Sequence, residues 1–241
     1  NYTYLGDWEE REGNSNIEEE YLINYLRRNG YSDEHISKAI FELQQVANNF
    51  SDNLYTTNKN VYSKLRNGVK VKVSAGENYD TVKLINWQNP EDNDFYIAEE
   101  VTYKGNKTKR PDIVLYINGI AIGILELKRG IVDIGEGIRQ NITNMQDRFI
   151  KPFFATNQIL FAGNDSEGLR YGTISSPEKF YLSWKEDVED NSRLLLDKYL
   201  LKMCSKERII ELLYDFIVFE TGIKKLPRAH QYFGVKESQK Y

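Results

Sequence analysis

The sequence is poor in the side chains that build disulfides and soft-metal sites. Among 241 residues there is one cysteine, Cys204, and the two histidines, His35 and His230, lie far apart along the chain. A single cysteine excludes a disulfide within the chain. The absence of CxxC and HExxH spacings leaves a zinc site without support. A reducing compartment is the natural expectation for such a chain.

A long apolar run is also missing. The most apolar segment, residues 113–125, is interrupted by Asn118-Gly119, whereas a membrane-spanning helix needs about 20 apolar residues. The polar, acidic residues at the N-terminus are not those of a signal peptide. We therefore expect a soluble, cytoplasmic protein with no membrane partner.

The chain has no excess of positive charge. Its 32 basic and 36 acidic residues give a net charge of -4, which predicts no general affinity for polyanions. A nucleic-acid contact would have to use a local basic patch, or charge supplied by partner proteins. Hydrophobic residues make up 40% of the chain, and its length is enough for one well-buried domain, or one domain with an appendage.

The order of periodic segments predicts an α/β fold with a central mixed β-sheet flanked by helices. Apolar residues at helical spacing indicate helices at 15–28, 33–50 and 135–149. Alternating or continuous apolar runs indicate strands at 69–73, 81–87, 95–103 and 157–164, and on both sides of Asn118-Gly119.

The character of the sequence changes after Trp184. Residues 185–192 form a charged, turn-prone stretch, which indicates a boundary. We expect one domain over 1–185, followed by a helical segment over 186–241 with helices near 193–203 and 206–220.

The segment "RPDIVLYINGIAIGILELKRG", residues 110–130, carries charges at the tips of an apolar hairpin. Asn118-Gly119 is a strong signal for its turn. A strict two-residue turn would place Asp112 opposite Leu125, whereas a three-residue loop or one bulge would place it opposite Glu126. Only the second register brings two carboxylates together. That register also predicts pairs of Val114 with Ile124 and of Tyr116 with Ile122.

Paired carboxylates beside a lysine suit phosphodiester hydrolysis. Asp112 and Glu126 would repel each other without a cation between them, and two hard oxygen ligands suit Mg²⁺. Lys128 shares a strand face with Glu126, where it can hold a water molecule or neutralise charge on a phosphate. The pattern is short and degenerate, however, so the same charges could equally lie in solvent at the strand ends.

Many segments together carry a resemblance to a known family. The hairpin resembles the PD-(D/E)xK nuclease core, with Asp112, Glu126 and Lys128 as its motif. The rest of the chain resembles the N-terminal region of the restriction (R) subunit of type I restriction-modification enzymes. The segments that carry this resemblance are "NSNIEEEYL", "IAEEVTYKG", "EGIRQNITNMQDRFIKPFF", "LFAGNDSEGLRYGTI" and "KERIIELLYDFIVFETGIKKLPRAHQYFGV".

The resemblance implies a restriction-endonuclease-like core that cuts duplex DNA with Mg²⁺. An ATP-driven motor follows it in the family, and methylation (M) and specificity (S) subunits are its partners. Asp112 and Glu126 would be the metal ligands and Lys128 the catalytic lysine. A Gln-x-x-x-Tyr motif often follows in the family; Gln140 matches it as a further catalytic residue, but Asn144 occupies the tyrosine position. Gln140 could alternatively be a solvated amide or contact the DNA backbone.

The first helix of this nuclease fold often presents an acid to the metal. Glu18 lies on an inward-facing line of the predicted helix and is the candidate. The alternative is that Glu18 completes a capping box with Ser15.

No ATP site is visible in the sequence. The stretch from Gly163 to Arg170 has two glycines at phosphate-loop spacing but lacks the Gly-Lys-Ser/Thr ending. We therefore expect ATP to be used by a motor beyond residue 241. Two other functions stay open: a catalytically silent module that docks the motor and methylase subunits, and a repair or recombination nuclease with the same core.

Overall fold

The computed structural model describes residues 2–49, 51–74, 76, 78–186 and 192–240. It confirms the predicted α/β class, since a seven-stranded mixed sheet is flanked by helices. The helices are α1 (Glu19–Arg28), α2 (Asp33–Ala47), α3 (Leu54–Asn67), α4 (Gly135–Asn144), α5 (Leu195–Met203), α6 (Lys206–Asp215) and α7 (Ala229–Ser238). The strands are β1 (Thr3–Asp7), β2 (Val69–Val71), β3 (Asp80–Val82), β4 (Phe95–Glu99), β5 (Tyr103–Lys104), β6 (Thr108–Lys109), β7 (Ile113–Ile117), β8 (Ile120–Leu127), β9 (Ile159–Asn164), β10 (Gly168–Gly172), β11 (Leu182–Ser183), β12 (Val218–Glu220) and β13 (Ile223–Lys225).

The large sheet has the strand order β1-β4-β7-β8-β9-β10-β11. Its β1–β4 and β8–β9 pairs are parallel, and its other neighbours are antiparallel. One apolar cluster lies between the sheet and helices α1–α3 and α5–α7, and a second lies under α4 and the 3-10 turn Lys151–Ala155. The central strands β7 and β8 are thus covered on both faces, which is why they are apolar on both faces.

The β7–β8 hairpin combines a two-residue turn with a bulge. Asn118 and Gly119 have φ angles of 53° and 83°, as a tight hairpin turn requires, and Ile117 pairs directly with Ile120. The register then shifts at Ile122, which has no partner on β7. The pairs are Tyr116 with Ala121, Leu115 with Gly123, Val114 with Ile124 and Ile113 with Leu125.

The bulge decides between the two predicted registers. One residue beyond the last ladder pair, Asp112 comes level with Glu126, as the bulged register predicts. The predicted partner of Val114 is confirmed. The predicted pair of Tyr116 with Ile122 is wrong, because the extra residue lies within β8 rather than in the turn.

Gly119→Ala is expected to lower the free energy of unfolding by about 2–3 kcal/mol. A Cβ at Gly119 would lie 2.6 Å from the backbone oxygen of Glu18, in addition to the cost of a positive φ. Gly30→Ala is the matched control, because Gly30 also has φ +83° but has no atom within 4 Å of the added Cβ. Urea unfolding measures both variants, and equal losses would contradict the role of the close approach.

Several predicted elements differ from the observed ones: the helix predicted over 135–149 ends at Asn144, and the strand predicted over 95–103 ends at Glu99. The first helix begins at Glu19 rather than residue 15, and α6 ends at Asp215. Residues predicted to continue that last helix instead form β12, which pairs with β13 around Thr221 and Gly222, both at positive φ. The predicted strand 81–87 contributes only its first residues to β3. For α6, pairing of the following residues with β13 overrides the local helix propensity.

The C-terminal segment packs on the same core as the sheet. The hydroxyl group of Tyr62 donates to the backbone oxygen of Leu213 at 2.9 Å, and that of Tyr171 donates to the backbone oxygen of Pro227 at 2.6 Å. The predicted boundary at 185/186 stays a prediction, because residues 187–191 lie outside the described part of the chain. No helix in that described part has both the length and the apolar character needed to cross a membrane.

Candidate active site

Asp112, Glu126 and Lys128 meet at the open end of the β7–β8 hairpin. Asp112 precedes β7, Glu126 is near the end of β8, and Lys128 follows β8. The backbone N–H of Leu127 donates to Oδ2 of Asp112 at 2.6 Å, which ties the two strand ends together. The antiparallel hairpin therefore places these three charges together at one end of the two central strands.

Glu126 is fully buried, and neither of its carboxylate oxygens has a hydrogen-bond partner among the described residues. Burial, and then the negative charge of Asp112, raise the pKa of Glu126 well above its usual range. Helix α4 crosses directly over this residue at Gly137, where an added Cβ would lie 3.5 Å from the Cβ of Glu126. An unpaired buried carboxylate is costly, so this group is suited to a bound cation.

Lys128 is oriented by helix α4. Its Nζ donates to Oε1 of Gln140 at 2.7 Å and to the backbone oxygen of Leu127 at 3.1 Å. Its backbone N–H donates to the oxygen of Gly163 at 2.9 Å, which holds the residue against β9. Gln140 thus lies in the site as a contact of the lysine, and it is not a freely solvated amide.

Asn144 lies one turn beyond Gln140 on α4. Its side chain is buried, and neither its amide oxygen nor its amide nitrogen has a partner among the described residues. The neighbouring Asn141 donates to the backbone oxygen of Phe161 at 2.9 Å. Asn144, at the tyrosine position of the Gln-x-x-x-Tyr pattern, is therefore enclosed by protein rather than exposed to solvent.

The structure gives Glu18 a different partner from the predicted metal. Arg11 binds its carboxylate with both terminal nitrogens, at 2.6 Å and 3.1 Å, and the backbone N–H of Ser15 donates to it at 2.8 Å. The backbone of Glu18 lies at the hairpin turn, where its N–H donates to Gly119. Glu126 is about 20 Å further along the strand. The structure therefore does not bring Glu18 to the carboxylate pair, and its metal role stays a prediction that lacks geometric support.

Glu100 is a neighbour of the site that the sequence reasoning missed. Its backbone N–H donates to the oxygen of Asp112 at 2.9 Å, and its carboxylate pairs with Nε of Arg110 at 2.6 Å. Burial raises the pKa of Glu100, the charge of Arg110 opposes this, and Asp112 adds to it. Its φ of 49° is in the left-handed region, a strain that is often found at functional sites.

Tyr181 is a second neighbour that was missed. Its hydroxyl group is buried without a partner among the described residues. Burial, and then the charge of Glu126, raise the pKa of this hydroxyl above its ordinary value. No local sequence signal marks it, because it lies more than fifty residues from Glu126 and reaches the site only through packing under the sheet.

The residues present fit a hard cation better than a transition metal. In the described part of the chain, no group of three or more His, Cys, Asp or Glu side chains is arranged to hold a metal, so a cation at the carboxylate pair would need water or substrate oxygens as further ligands. Asp112 and Glu126 supply only oxygen atoms, and both oxygens of Glu126 are unpaired. Mg²⁺ is usually bound by one or two carboxylates, with water and substrate phosphates as its other ligands.

Comparisons with known proteins agree on one family. Residues 1–179 match the family model described as type I restriction enzyme R protein N terminus. The chain is 27% identical over 203 residues to the type I restriction enzyme HindI endonuclease subunit of Haemophilus influenzae, covering 77% of this chain and 19% of that protein. It is 30% identical over 236 residues to a Methanocaldococcus jannaschii protein named as a candidate endonuclease subunit, MjaVIIIP, of a type I restriction enzyme, covering 92% and 22%.

The chain spans about a fifth of the length of these relatives. The matching region includes the whole β7–β8 hairpin and α4, which carry the candidate active site. The chain therefore belongs to the family of type I restriction enzyme R protein N termini.

Proposed function

We propose that this chain is the Mg²⁺-dependent nuclease part of a type I restriction enzyme and that it hydrolyses phosphodiester bonds of duplex DNA. The observation that carries the proposal is the buried, unpaired carboxylate of Glu126 level with Asp112. The names of the relatives, as endonuclease subunits, support it. Its substrate would be foreign, unmethylated DNA, delivered by an ATP-driven motor outside this chain and selected by methylation and specificity subunits.

In this proposal Asp112 and Glu126 hold the metal. Mg²⁺ bound there would polarise a phosphoryl oxygen and promote the deprotonation of water. The N–H of Leu127 holds Asp112, and α4 packs at Gly137 against the side chain of Glu126. Both carboxylates are thus oriented before substrate arrives, which reduces the cost of assembling the site.

Lys128 acts on the reacting groups. An ammonium group has three N–H donors, and two of them go to Gln140 and to the oxygen of Leu127. The third can donate to the attacking water or to a phosphate oxygen, where it stabilises developing negative charge. In the reaction, water loses a proton and forms a new P–O bond. The bond from phosphorus to one sugar oxygen breaks, and that oxygen takes up a proton.

Asp112→Asn tests the proposal in the assembled enzyme with Mg²⁺, ATP and DNA that carries an unmethylated site. The amide removes a charged ligand and weakens metal binding, so we expect DNA cleavage to fall by about 100-fold or more. ATP hydrolysis should stay at the parental rate, because the motor lies outside this chain. Cleavage at the parental rate would refute the site and favour a silent docking module.

A further inference from the structure

A basic cluster lies at the tip of the strand ribbon that carries Asp112. The ladder between β4 and β7 continues through hydrogen bonds from Glu100 to Asp112 and from Val101 to Pro111. It then passes into the β5–β6 pair, Tyr103–Lys104 with Thr108–Lys109. We call Lys107, Lys109 and Arg148, whose cations lie against the ring of Phe149, the basic tip.

Three cations of the basic tip converge on one aromatic ring. Nζ of Lys109 lies 4.5 Å from the ring centre of Phe149, Cζ of Arg148 lies 4.9 Å from it, and Nζ of Lys107 lies 5.8 Å from it. None of the three forms an ion pair with a carboxylate in the described ranges, since Asp147 is paired with Lys151 instead. Each cation–π contact at an exposed site contributes only about 0.5–1 kcal/mol, and the three like charges repel one another. A bound polyanion would offset this repulsion.

The basic tip is held rigidly by backbone contacts. The N–H of Asn106 donates to the oxygen of Phe149 at 3.0 Å, and its side-chain amide donates to the oxygen of Asp147 at 2.5 Å. The backbone at Gly105 lies so close to the backbone of Phe149 that a Cβ added to Gly105 would be 2.5 Å from the oxygen of Phe149. The backbone that carries the cations is therefore held in place before any ligand binds, which lowers the entropy lost on binding.

The basic tip also faces the same side of the sheet as the candidate active site. Lys109 is directly opposite Tyr103 in the ladder, and paired residues share a face. The ring of Tyr103 packs on Phe153 at 4.9 Å, in the apolar cluster under α4. Lys109 is three residues from Asp112, which is about 10 Å along a strand and about three nucleotides of duplex rise.

We infer that the basic tip binds the phosphate backbone of duplex DNA about three nucleotides from the bond that is cut. The inference rests on the proposed function, since it takes the strand ends that carry Asp112 and Glu126 as the place where DNA is cut. It also explains how a chain with a net charge of -4 holds DNA at its active site, because the positive charge is concentrated where the backbone passes. An acidic partner protein fits the same charges less well, because the cations lie beside the residues that act on phosphate.

The test replaces Lys107, Lys109 and Arg148 together with glutamine in the 241-residue chain. Binding of a labelled 30-base-pair duplex is measured by fluorescence anisotropy in EDTA, across a series of salt concentrations. We expect the dissociation constant to rise by about 10- to 100-fold at low salt. The slope of log affinity against log salt should fall by about 2–3, because roughly 0.9 is lost for each phosphate contact removed.

A charge-matched variant controls for the change in net charge. Lys70, Lys72 and Lys83 are exposed lysines on or beside the β2–β3 pair, near the turn end of the β7–β8 hairpin, and their triple glutamine variant should bind DNA as the wild type does. Circular dichroism should show the same melting temperature for all three proteins. Equal losses in both variants, no loss in either, or no duplex binding by the wild type at 50 mM salt would overturn the inference.

The measurement is independent of catalysis. In EDTA no metal is bound and no DNA is cut, so failure of the proposed nuclease site would not alter the binding result. If the basic-tip variant keeps DNA binding but loses assembly with the methylation and specificity subunits, the surface binds protein and the inference is wrong.

Discussion

Glu126→Gln is expected to reduce DNA cleavage by about 10³-fold or more while making the metal-free chain more stable. The amide keeps the shape of the side chain but cannot supply a charged metal ligand, so catalysis is lost. The stability gain has a separate cause. Glu126 is fully buried and has no hydrogen-bond partner among the described residues, so its ionised form destabilises the native state.

The pH dependence of stability follows from the sign of the pKa shift. Burial and the charge of Asp112 raise the pKa of Glu126 in the native state. The native state therefore binds more protons than the unfolded state between the usual carboxyl pKa and the raised one. The stabilising contribution of the neutral form is complete below that window and is lost as pH rises through the native-state pKa. We expect the wild type to lose stability over that window and Glu126→Gln to lose less.

Two measurements check this prediction. Cleavage is assayed in the assembled enzyme, and urea unfolding is followed from pH 5 to pH 9 in EDTA, where we expect the variant to be more stable at the alkaline end by about 1–3 kcal/mol. Adding Mg²⁺ should stabilise the wild type more than the variant. Glu12→Gln, at an exposed loop position, is the control and should change neither quantity. A variant that is less stable than the wild type at high pH would contradict the role assigned to burial.

Asn58→Ala is expected to destabilise the chain by about 4 kcal/mol. Asn58 is fully buried on α3. Its amide nitrogen contacts three backbone oxygens, at 3.3 Å, 3.0 Å and 2.8 Å, and its amide oxygen accepts from Nζ of Lys224 at 2.9 Å. Removing the amide would leave these groups unpaired in the core. The three backbone oxygens belong to Phe154, Ala155 and Asn157.

The buried lysine makes this loss larger. Lys224 lies on β13 with its amine inside the core, where it also donates a hydrogen bond to Oε1 of Gln158 at 2.6 Å. Burial lowers the pKa of Lys224 well below its usual range. Losing the hydrogen bond to Asn58 would therefore leave a buried amine with fewer partners and lower the stability further. Asn58 therefore joins α3, the segment before β9 and the C-terminal β12–β13 hairpin in one network.

Thermal unfolding checks the prediction. A loss of about 4 kcal/mol corresponds to a melting temperature about 10 °C lower for a chain of this size. Asn67→Ala is the matched control on the same helix, because Asn67 is exposed and its side chain contacts only Ser63 at 3.3 Å among the described residues. The control should change stability by less than about 0.5 kcal/mol. A loss below about 1 kcal/mol for Asn58→Ala would show that the network contributes little.

The sequence by itself determined the hairpin and the charges at its open end. Asn118-Gly119 and the apolar residues around it are local signals, because turn geometry and side-chain alternation depend on neighbouring residues. They were enough to predict that Asp112 and Glu126 come level if the hairpin has one extra residue. The α/β class and the mixed sheet followed from the same kind of periodicity, and the family followed from long segments in order.

Only the tertiary structure decided where the extra residue lies and what surrounds the carboxylates. The bulge at Ile122, the burial of Glu126 under Gly137 and the pairing of Glu18 with Arg11 all depend on how separate elements pack. No periodicity records such contacts, because they join residues whose spacing along the chain is unrelated to a helix or strand repeat. For the same reason the sequence did not show that the segment over 186–241, expected to be helical, places the amine of Lys224 in the core.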